Sequence, residues 1–301
     1  MQAIRRESLA LGEGGLRVSP LAWGMWRFGG DDVSLARLRV EAALETGITF
    51  FDTADIYGPD NGEAFGAAEA LLGRVFRDAP SLRDHMVLAS KAGIRMGVPY
   101  DSSKRYLTEA CEASLERLGV DHLDLFQLHR PDLMTHPSEV AEALVSLREA
   151  GKIREAGVSN HTVAQTAALQ AWLPFPLASH QPEFSALCPT PLEDGVLDQA
   201  MERRMVVMAW SPLAGGRLAR PTEDARINRV HAALDRLAAR EGVSRAAVAY
   251  AWVMAHPSRA VPIVGTQDPA RIREAGEALK VRLDRKDWYD VLVASRGVPM
   301  P

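Results

Sequence analysis

The stretch Phe50-Phe51-Asp52-Thr53-Ala54-Asp55-Ile56-Tyr57-Gly58 constrains this chain more than any other. It opens as a buried strand, because Ile48, Phe50 and Phe51 are apolar and Gly47 ends the helical run before them. It closes on two carboxylates and a phenol, followed by the turn signal Gly58-Pro59-Asp60-Asn61-Gly62. A strand that finishes in ionisable side chains just before a loop is where α/β proteins place their chemistry. Taken alone, the stretch also has a plainer reading: an Asp capping the next loop and a packed Tyr ring with its hydroxyl satisfied. The strands that follow decide between the two.

The alternation of strand and helix continues along the chain. A short hairpin is expected over residues 8–18, where Gly12-Glu13-Gly14-Gly15 separates two brief extended pieces. Strands are expected at 21–24, 48–51, 87–90, 123–128, 154–158, 177–180, 206–209 and 261–264. Helical periods are expected at 33–46, 63–75, 104–118, 137–150, 163–171, 191–203, 226–255 and 269–278. About eight strand–helix units is the number that closes a parallel barrel. The predicted fold class is therefore α/β, a (β/α)8 TIM barrel with a short N-terminal β-hairpin. Trp288 and Val291 to Val293 suggest a C-terminal helix packed on it. No break in composition divides the chain, so 1–301 reads as a single barrel domain. A doubly wound open sheet would want a glycine-rich phosphate turn after its first strand, and Gly24-Met25-Trp26 is not such a turn.

Charge and cysteine usage narrow the partners. A formal net charge of −4 argues against nucleic acid or an anionic membrane surface as the default partner. No segment is apolar for long enough to span a bilayer. Residues 1–11 carry Arg5, Arg6 and Glu7 without the long apolar run of a signal peptide. Cys111 and Cys188 lie far apart and form no metal or redox motif. The expectation is a reduced, cytoplasmic protein with a small-molecule partner and no metal, its oligomeric state left open.

In a parallel barrel, residues at strand ends share one rim. Lys91 is expected directly after the third strand and His129 directly after the fourth, so Asp52, Tyr57, Lys91 and His129 can converge. A phenol with a pKa of about 10 is a poor proton donor near neutrality. A lysine ammonium about 4 Å away, at an effective dielectric near 20, favours the phenolate by roughly 4 kcal/mol. As an upper bound that brings Tyr57 close to physiological pH, where a general acid works best. Asp52 would hold Lys91 in place and keep it charged, and His129 would orient the substrate oxygen or share its proton. The set is an acid aimed at one oxygen, with neither a covalent nucleophile nor an electron source.

The later strand ends supply what is lacking. Ser159, Asn160 and Gln181 offer paired donors and acceptors that suit an amide, and Trp210 offers a flat face for an aromatic ring. Gly215-Gly216-Arg217 would let backbone approach a phosphate with an arginine beside it. Each piece has an ordinary alternative, since Ser-Asn is a common helix cap and a Trp is most often core. In order on consecutive rim positions, they describe a nicotinamide with its diphosphate.

Over residues 19–279 the chain resembles the aldo-keto reductases, in their bacterial oxidoreductase branch. The matching pieces are Phe51-Asp52-Thr53-Ala54-Asp55-Ile56-Tyr57-Gly58, Ser90-Lys91, Leu128-His129-Arg130-Pro131, Gly157-Val158-Ser159-Asn160, Gln181-Pro182-Glu183 and Trp210-Ser211-Pro212-Leu213. The resemblance implies a (β/α)8 barrel in which NADPH reduces an aldehyde or ketone. It implies Tyr57 as proton donor, Lys91 and Asp52 as its tuning pair, and His129 as the residue that positions the carbonyl. It implies Ser159, Asn160 and Gln181 on the nicotinamide carboxamide, Trp210 stacked on the ring, and Leu213 and Arg217 near the pyrophosphate. Gly24, Met25, Trp26, Asp52, Ser211 and Gly215 join the implied cofactor set. After Ile263-Val264-Gly265 come Thr266, Gln267, Arg271 and Glu274, where the family holds the 2′-phosphate and adenine. Two departures weaken that NADPH preference: Gln267 is uncharged where many relatives are basic, and Ala275 stands where they often have Asn. Arg271 and Arg273 also fit a solvated helix face.

Trp26, Phe28, Arg95, Met96 and Arg130 are candidates to line the substrate pocket beside Tyr57 and His129. Arg95 and Arg130 would favour a carboxylate or phosphate, unless they pair with Asp55, Asp132 or solvent. Little chain follows Leu283, which points to an open pocket and a broad substrate range. Two other readings stay open: a nicotinamide-binding regulatory or sensor subunit with little turnover, and a metal-dependent hydrolase or lyase using Asp52, Asp55 and His129. For the second no His-x-His or His-Glu-x-x-His motif is present, and Lys91 would repel the metal.

Overall fold

The structure, a computed structural model, describes residues 2–3 and 7–300. Arg5 and Arg6, two of the charges weighed against a leader, lie outside the described residues, as do Met1 and Pro301. Eight parallel strands pair in chain order and close on themselves. They are β1 (Ala22–Gly24), β2 (Phe50–Asp52), β3 (Val87–Ala92), β4 (Leu123–Leu128), β5 (Ile153–Ser159), β6 (Ser179–Gln181), β7 (Val206–Ala209) and β8 (Val261–Val264). Around them stand α1 (Val33–Glu45), α2 (Ala67–Asp78), α3 (Lys104–Leu118), α4 (Pro137–Glu149), α5 (Val163–Gln170), α6 (Val196–Arg203), α7 (Ala225–Glu241), α8 (Arg245–Met254), α9 (Pro269–Ala275) and α10 (Arg285–Arg296). The expected (β/α)8 barrel is the observed one, with its hairpin at Leu9–Leu11 and Leu16–Val18 and α10 at the far end.

Successive side chains on a strand face opposite ways, and that parity builds two separate cores. Phe50 points into the barrel with Ala22, Val87, Ala89, Leu125, Val206, Met208, Val261 and Ile263. Phe51, one residue on, points out among Trp23, Leu88, Phe126 and the helices. The hairpin closes the floor, since Leu11 and Val18 join the inner cluster and the Gly14 N–H donates to Glu155 Oε1 at 2.8 Å. With the floor sealed, the opposite rim is the way into the barrel. The helices are placed by local signals: Asp32, Ser103 and Asp224 cap α1, α3 and α7, and Thr162 and Asp284 form capping boxes on α5 and α10. Helix α10 docks through Trp288, stacked on Trp252 at 5.0 Å, each indole N–H donating to the other's carbonyl at 3.0 Å.

The helical stretches expected across 226–255 are two, divided at Gly242, whose φ of 69° ends α7 before Ser244 caps α8. Two elements differ from expectation. Helix α2 begins at Ala67 rather than at residue 63, because the Glu63 carboxylate turns to the Gly30 N–H at 2.6 Å. A small hairpin, Ile94–Arg95 with Val98–Tyr100, follows β3 where only loop was read. Helices α2 and α3 touch at Gly73, where an added Cβ would lie 2.1 Å from the Arg117 carbonyl oxygen. The obstruction is backbone, so the helices must separate. Gly73→Ala is expected to lower the unfolding free energy by about 1–3 kcal/mol in urea denaturation, despite alanine's better helix propensity.

Candidate active site

The same parity that sends Phe50 inward sends Asp52 inward one level higher. Likewise Ala89 leads to Lys91, Leu125 to Gln127, Gly157 to Ser159, and Ser179 to Gln181. The lining of the barrel thus changes from apolar to polar at a single level near the open rim. Strand register carries the change across, with Lys91 opposite Gln127 and Ser159 opposite Gln181. Lys91 was expected just after β3; it is instead the fifth residue of the six-residue strand and wholly buried. Its aliphatic stem packs inside the barrel, and its ammonium extends the strand's hydrogen-bonded end.

Lys91 Nζ donates to Asp52 Oδ2 at 2.7 Å and to the Thr53 carbonyl at 2.8 Å. Asp52 Oδ1 accepts from Gln181 Nε2 at 2.9 Å and from Gln127 Nε2 at 3.4 Å, while Ser179 Oγ donates to Gln127 Oε1 at 3.1 Å. Burial pulls the Lys91 pKa down, but Asp52 and Tyr57 together more than offset it and hold the pKa above its ordinary value. Asp52 is therefore bound to an ammonium, where a hydrolase would need it bound to a metal. Gln127, which binds Asp52, is a residue that the sequence reading passed over; its place on β4, two residues before His129, was the signal.

Tyr57 is half-buried, with Lys91 Nζ 5.0 Å from its ring centroid and the His129 ring edge-on at 5.8 Å. The expectation that Lys91 brings its phenol towards neutrality is corrected. Burial pushes the Tyr57 pKa up by more than Lys91 pulls it down, and Asp52 opposes part of that pull. The Asp52 carboxylate, 2.7 Å from the ammonium, takes back part of the charge effect by which Lys91 favours the phenolate. The phenol is accordingly loaded with its proton across the neutral range. His129 is held well below the usual imidazole range by burial, then by Lys91 and Arg130. It is neutral near pH 7 and its buried Nδ1 has no partner, so it can orient an oxygen but carries no imidazolium proton to share.

Behind β3, Ser90 points outward and donates to Glu69 at 2.5 Å, and Arg117 Nε reaches the other Glu69 oxygen at 2.8 Å. Asp55 is fully buried nearby, its backbone N–H on the Lys91 carbonyl at 3.0 Å. Burial and then Glu69 raise its pKa well above the ordinary carboxyl value.

The tops of β5, β6 and β7 are tied together. Asn160 Nδ2 donates to Ser159 Oγ at 2.7 Å, Ser159 Oγ donates to the Gln181 carbonyl at 2.8 Å, and Trp210 Nε1 donates to Asn160 Oδ1 at 2.9 Å. Asn160, Ser211 and Ala214 hold positive φ angles of 58°, 51° and 52°, strain of the kind that gathers at binding sites. Leu213 leads into the turn Ala214–Gly216, and Arg217 is exposed, its Nε on the Ala214 carbonyl at 2.9 Å. Past Gly265, Trp23 Nε1 donates to the Thr266 carbonyl and Gln267 Nε2 to the Gly24 carbonyl, each at 3.0 Å, while Met25 N–H caps Asp52 O at 2.9 Å. Arg271 stands exposed with Asp268 3.7 Å away, and Glu274 is half-buried.

The substrate candidates separate. Trp26 is exposed and donates to Asp60 at 3.1 Å. Arg95 sits on the small hairpin, bound to Asp101 at 2.7 Å, and so serves that hairpin rather than the tetrad. Arg130 lies beside His129 with its guanidinium 5.7 Å from the Trp210 ring centre.

Two outcomes follow from the Lys91 pair. Lys91→Met leaves Asp52 charged and buried, and is expected to cost about 3–5 kcal/mol in urea unfolding, with Lys91→Met/Asp52→Leu recovering most of it. In a spectrophotometric titration, the phenolate absorbance present in wild type and absent in Tyr57→Phe should emerge only above about pH 10.

Comparison with known proteins gives this arrangement relatives. A model of the Aldo/keto reductase family matches residues 20–292. A 6-dehydroglucose reductase of Novosphingobium aromaticivorans is 53% identical over 97% of this chain and 96% of its own. A 6-dehydroglucose reductase of Agrobacterium fabrum is 37% identical over 94% of this chain and 96% of its own. Among solved structures, a glycerol dehydrogenase from Gluconobacter oxydans superposes with a TM-score of 0.84 at 27% identity, covering 98% of this chain and 97% of that one.

Proposed function

Because this chain belongs to the aldo/keto reductase family of NAD(P)H-dependent oxidoreductases, we propose that it reduces sugar-derived aldehydes to alcohols with NADPH, Tyr57 giving the proton. The observation that carries this is the Asp52–Lys91 pair sealed inside the barrel under the Tyr57 ring. It provides one neutral phenol with a fixed ammonium behind it and a neutral His129 beside it. That is the equipment for protonating a carbonyl oxygen as it gains charge.

The residues present suit a nicotinamide dinucleotide. Gln267 Oε1 is buried without a partner at the end of the rim assigned to adenosine, an acceptor an adenine amino group would fill. An added Cβ at Gly215 or Gly265 would meet nothing within 4 Å, so backbone there is open to approach. Ser159, Asn160, Gln181 and Trp210 would hold the nicotinamide end; Ser211, Leu213, Gly215 and Arg217 the diphosphate; Gly24, Met25, Trp26, Thr266, Arg271 and Glu274 the remainder. When bound, the nicotinamide supplies the hydride. His129 orients the carbonyl oxygen, Tyr57 passes its proton to that oxygen, and Lys91 stabilises the phenolate left behind, itself kept charged by Asp52. NADPH is favoured over NADH because exposed Arg271 has only a 3.7 Å contact with Asp268 and is available to a 2′-phosphate. The sugar class rests on relatives at 53% and 37% identity whose names specify 6-dehydroglucose. We assign residues 1–301 to one barrel carrying this one site.

The test is oxidation of NADPH by purified protein with 6-dehydroglucose and with a reactive aromatic aldehyde, beside NADH and Tyr57→Phe. Aldehyde-dependent loss of NADPH absorbance, weaker with NADH, is expected. Tyr57→Phe should lower kcat by about 10²–10⁴-fold without loss of NADPH binding. Tight NADPH binding with no carbonyl turned over would replace this reading with the regulatory-subunit one.

A further inference from the structure

Arg130 follows His129 at the end of β4 and is half-buried on the tetrad's side of the rim. Its charge is felt by both Tyr57 and His129. Among the described residues its guanidinium meets no carboxylate and makes no hydrogen bond; its only recorded partner is the face of Trp210. Arg95, by contrast, has Asp101 at 2.7 Å.

Most of the acids near Arg130 have other partners, and the two that do not, Asp55 and Glu183, make no ion pair with it among the described residues. Asp132, two residues on, accepts from the Ser102 N–H at 2.9 Å, the Met134 N–H at 2.9 Å and Thr135 Oγ1 at 2.6 Å. Asp101 takes Arg95 and the Ser103 N–H, Asp60 takes Trp26, and Asp52 takes Lys91 and Gln181. Asp55 lies fully buried with neither carboxylate oxygen hydrogen-bonded. A guanidinium cannot shed its proton, and its parallel N–H groups match two oxygens side by side. The contact with the Trp210 ring, 5.7 Å from guanidinium carbon to ring centre, leaves those N–H groups unused. The diphosphate already has its assigned backbone and arginine at β7, whereas Arg130 flanks the residue that positions the carbonyl.

Resting on the reductase reading above, we propose that Arg130 is the specificity residue of this site, gripping two neighbouring oxygens of the substrate beyond its carbonyl. Those oxygens are vicinal hydroxyls of a sugar chain or the two oxygens of an acid group. The uncharged remainder of the substrate lies over Trp26 and the open mouth.

The experiment measures kcat/KM with NADPH for glyceraldehyde, for a carboxylate-bearing aldehyde of similar length, and for propanal, in wild type, Arg130→Met and Arg130→Lys. The preference of wild type for each oxygenated aldehyde over propanal should fall about tenfold or more in Arg130→Met, mainly through KM. Arg130→Lys keeps the charge near Tyr57 but loses the fork, and should lose most of the preference too. The oxygenated aldehyde that loses more identifies the natural pair of oxygens. Unchanged preference, or an equal loss on all three aldehydes, overturns the proposal. Should wild type reduce none of them, the reductase reading itself has failed. Quenching of tryptophan fluorescence by added glycerate then decides Arg130, equal affinity in wild type and Arg130→Met overturning it.

Discussion

The interaction on which the rest depends is a salt bridge inside a closed barrel. Taking an ammonium and a carboxylate out of water costs several kcal/mol for each ion, and their attraction offsets this only with good geometry and further hydrogen bonds. Both conditions are met by neighbouring strands: Thr53 completes Lys91, and Gln181 and Gln127 complete Asp52. The hairpin floor matters for the same reason, because water entering from below would weaken the pair. Two well-packed apolar residues would serve stability as well, so stability alone does not account for the charges.

The pair also explains why Tyr57 behaves differently from a tyrosine beside a bare lysine. Seen from the phenol, the ammonium comes with its counter-charge, which opposes part of its pull. What remains is burial, which favours the neutral phenol. The phenol keeps its proton, and in the proposed reaction the same ammonium would stand ready once the proton has gone. His129, uncharged for its own reasons of burial, does not compete for that proton.

Much of this was legible in the residues. The strand–helix alternation and the clustering of Asp52, Tyr57 and His129 at strand ends are local patterns, and local patterns survive without coordinates. Lys91 was misplaced because Ser90-Lys91 reads as a polar exit from a strand, and only the cross-strand partners Gln127 and Asp52 make it an interior position. The hairpin at 94–100 was missed because its apolar residues, Val98 and Tyr100, are exposed and carry no buried period. The Tyr57 pKa needed three groups and a degree of burial at once. Arg130 is the clearest case: Asp55, Asp132 and solvent were open to it on paper, and only the coordinates show that it makes an ion pair with neither acid among the described residues.

The two cores share their strands but not their side chains. Phe51 and Asp52, Ser90 and Lys91, and Phe126 and Gln127 are neighbours that serve different purposes, one holding helices to the barrel and the other facing the reaction. Scaffold and chemistry are thus interleaved on the same backbone, letter by letter. Such a text can be edited on alternate letters: one set can drift to new reactions while the other keeps the word readable, and a shift of reading frame by one residue would spoil both.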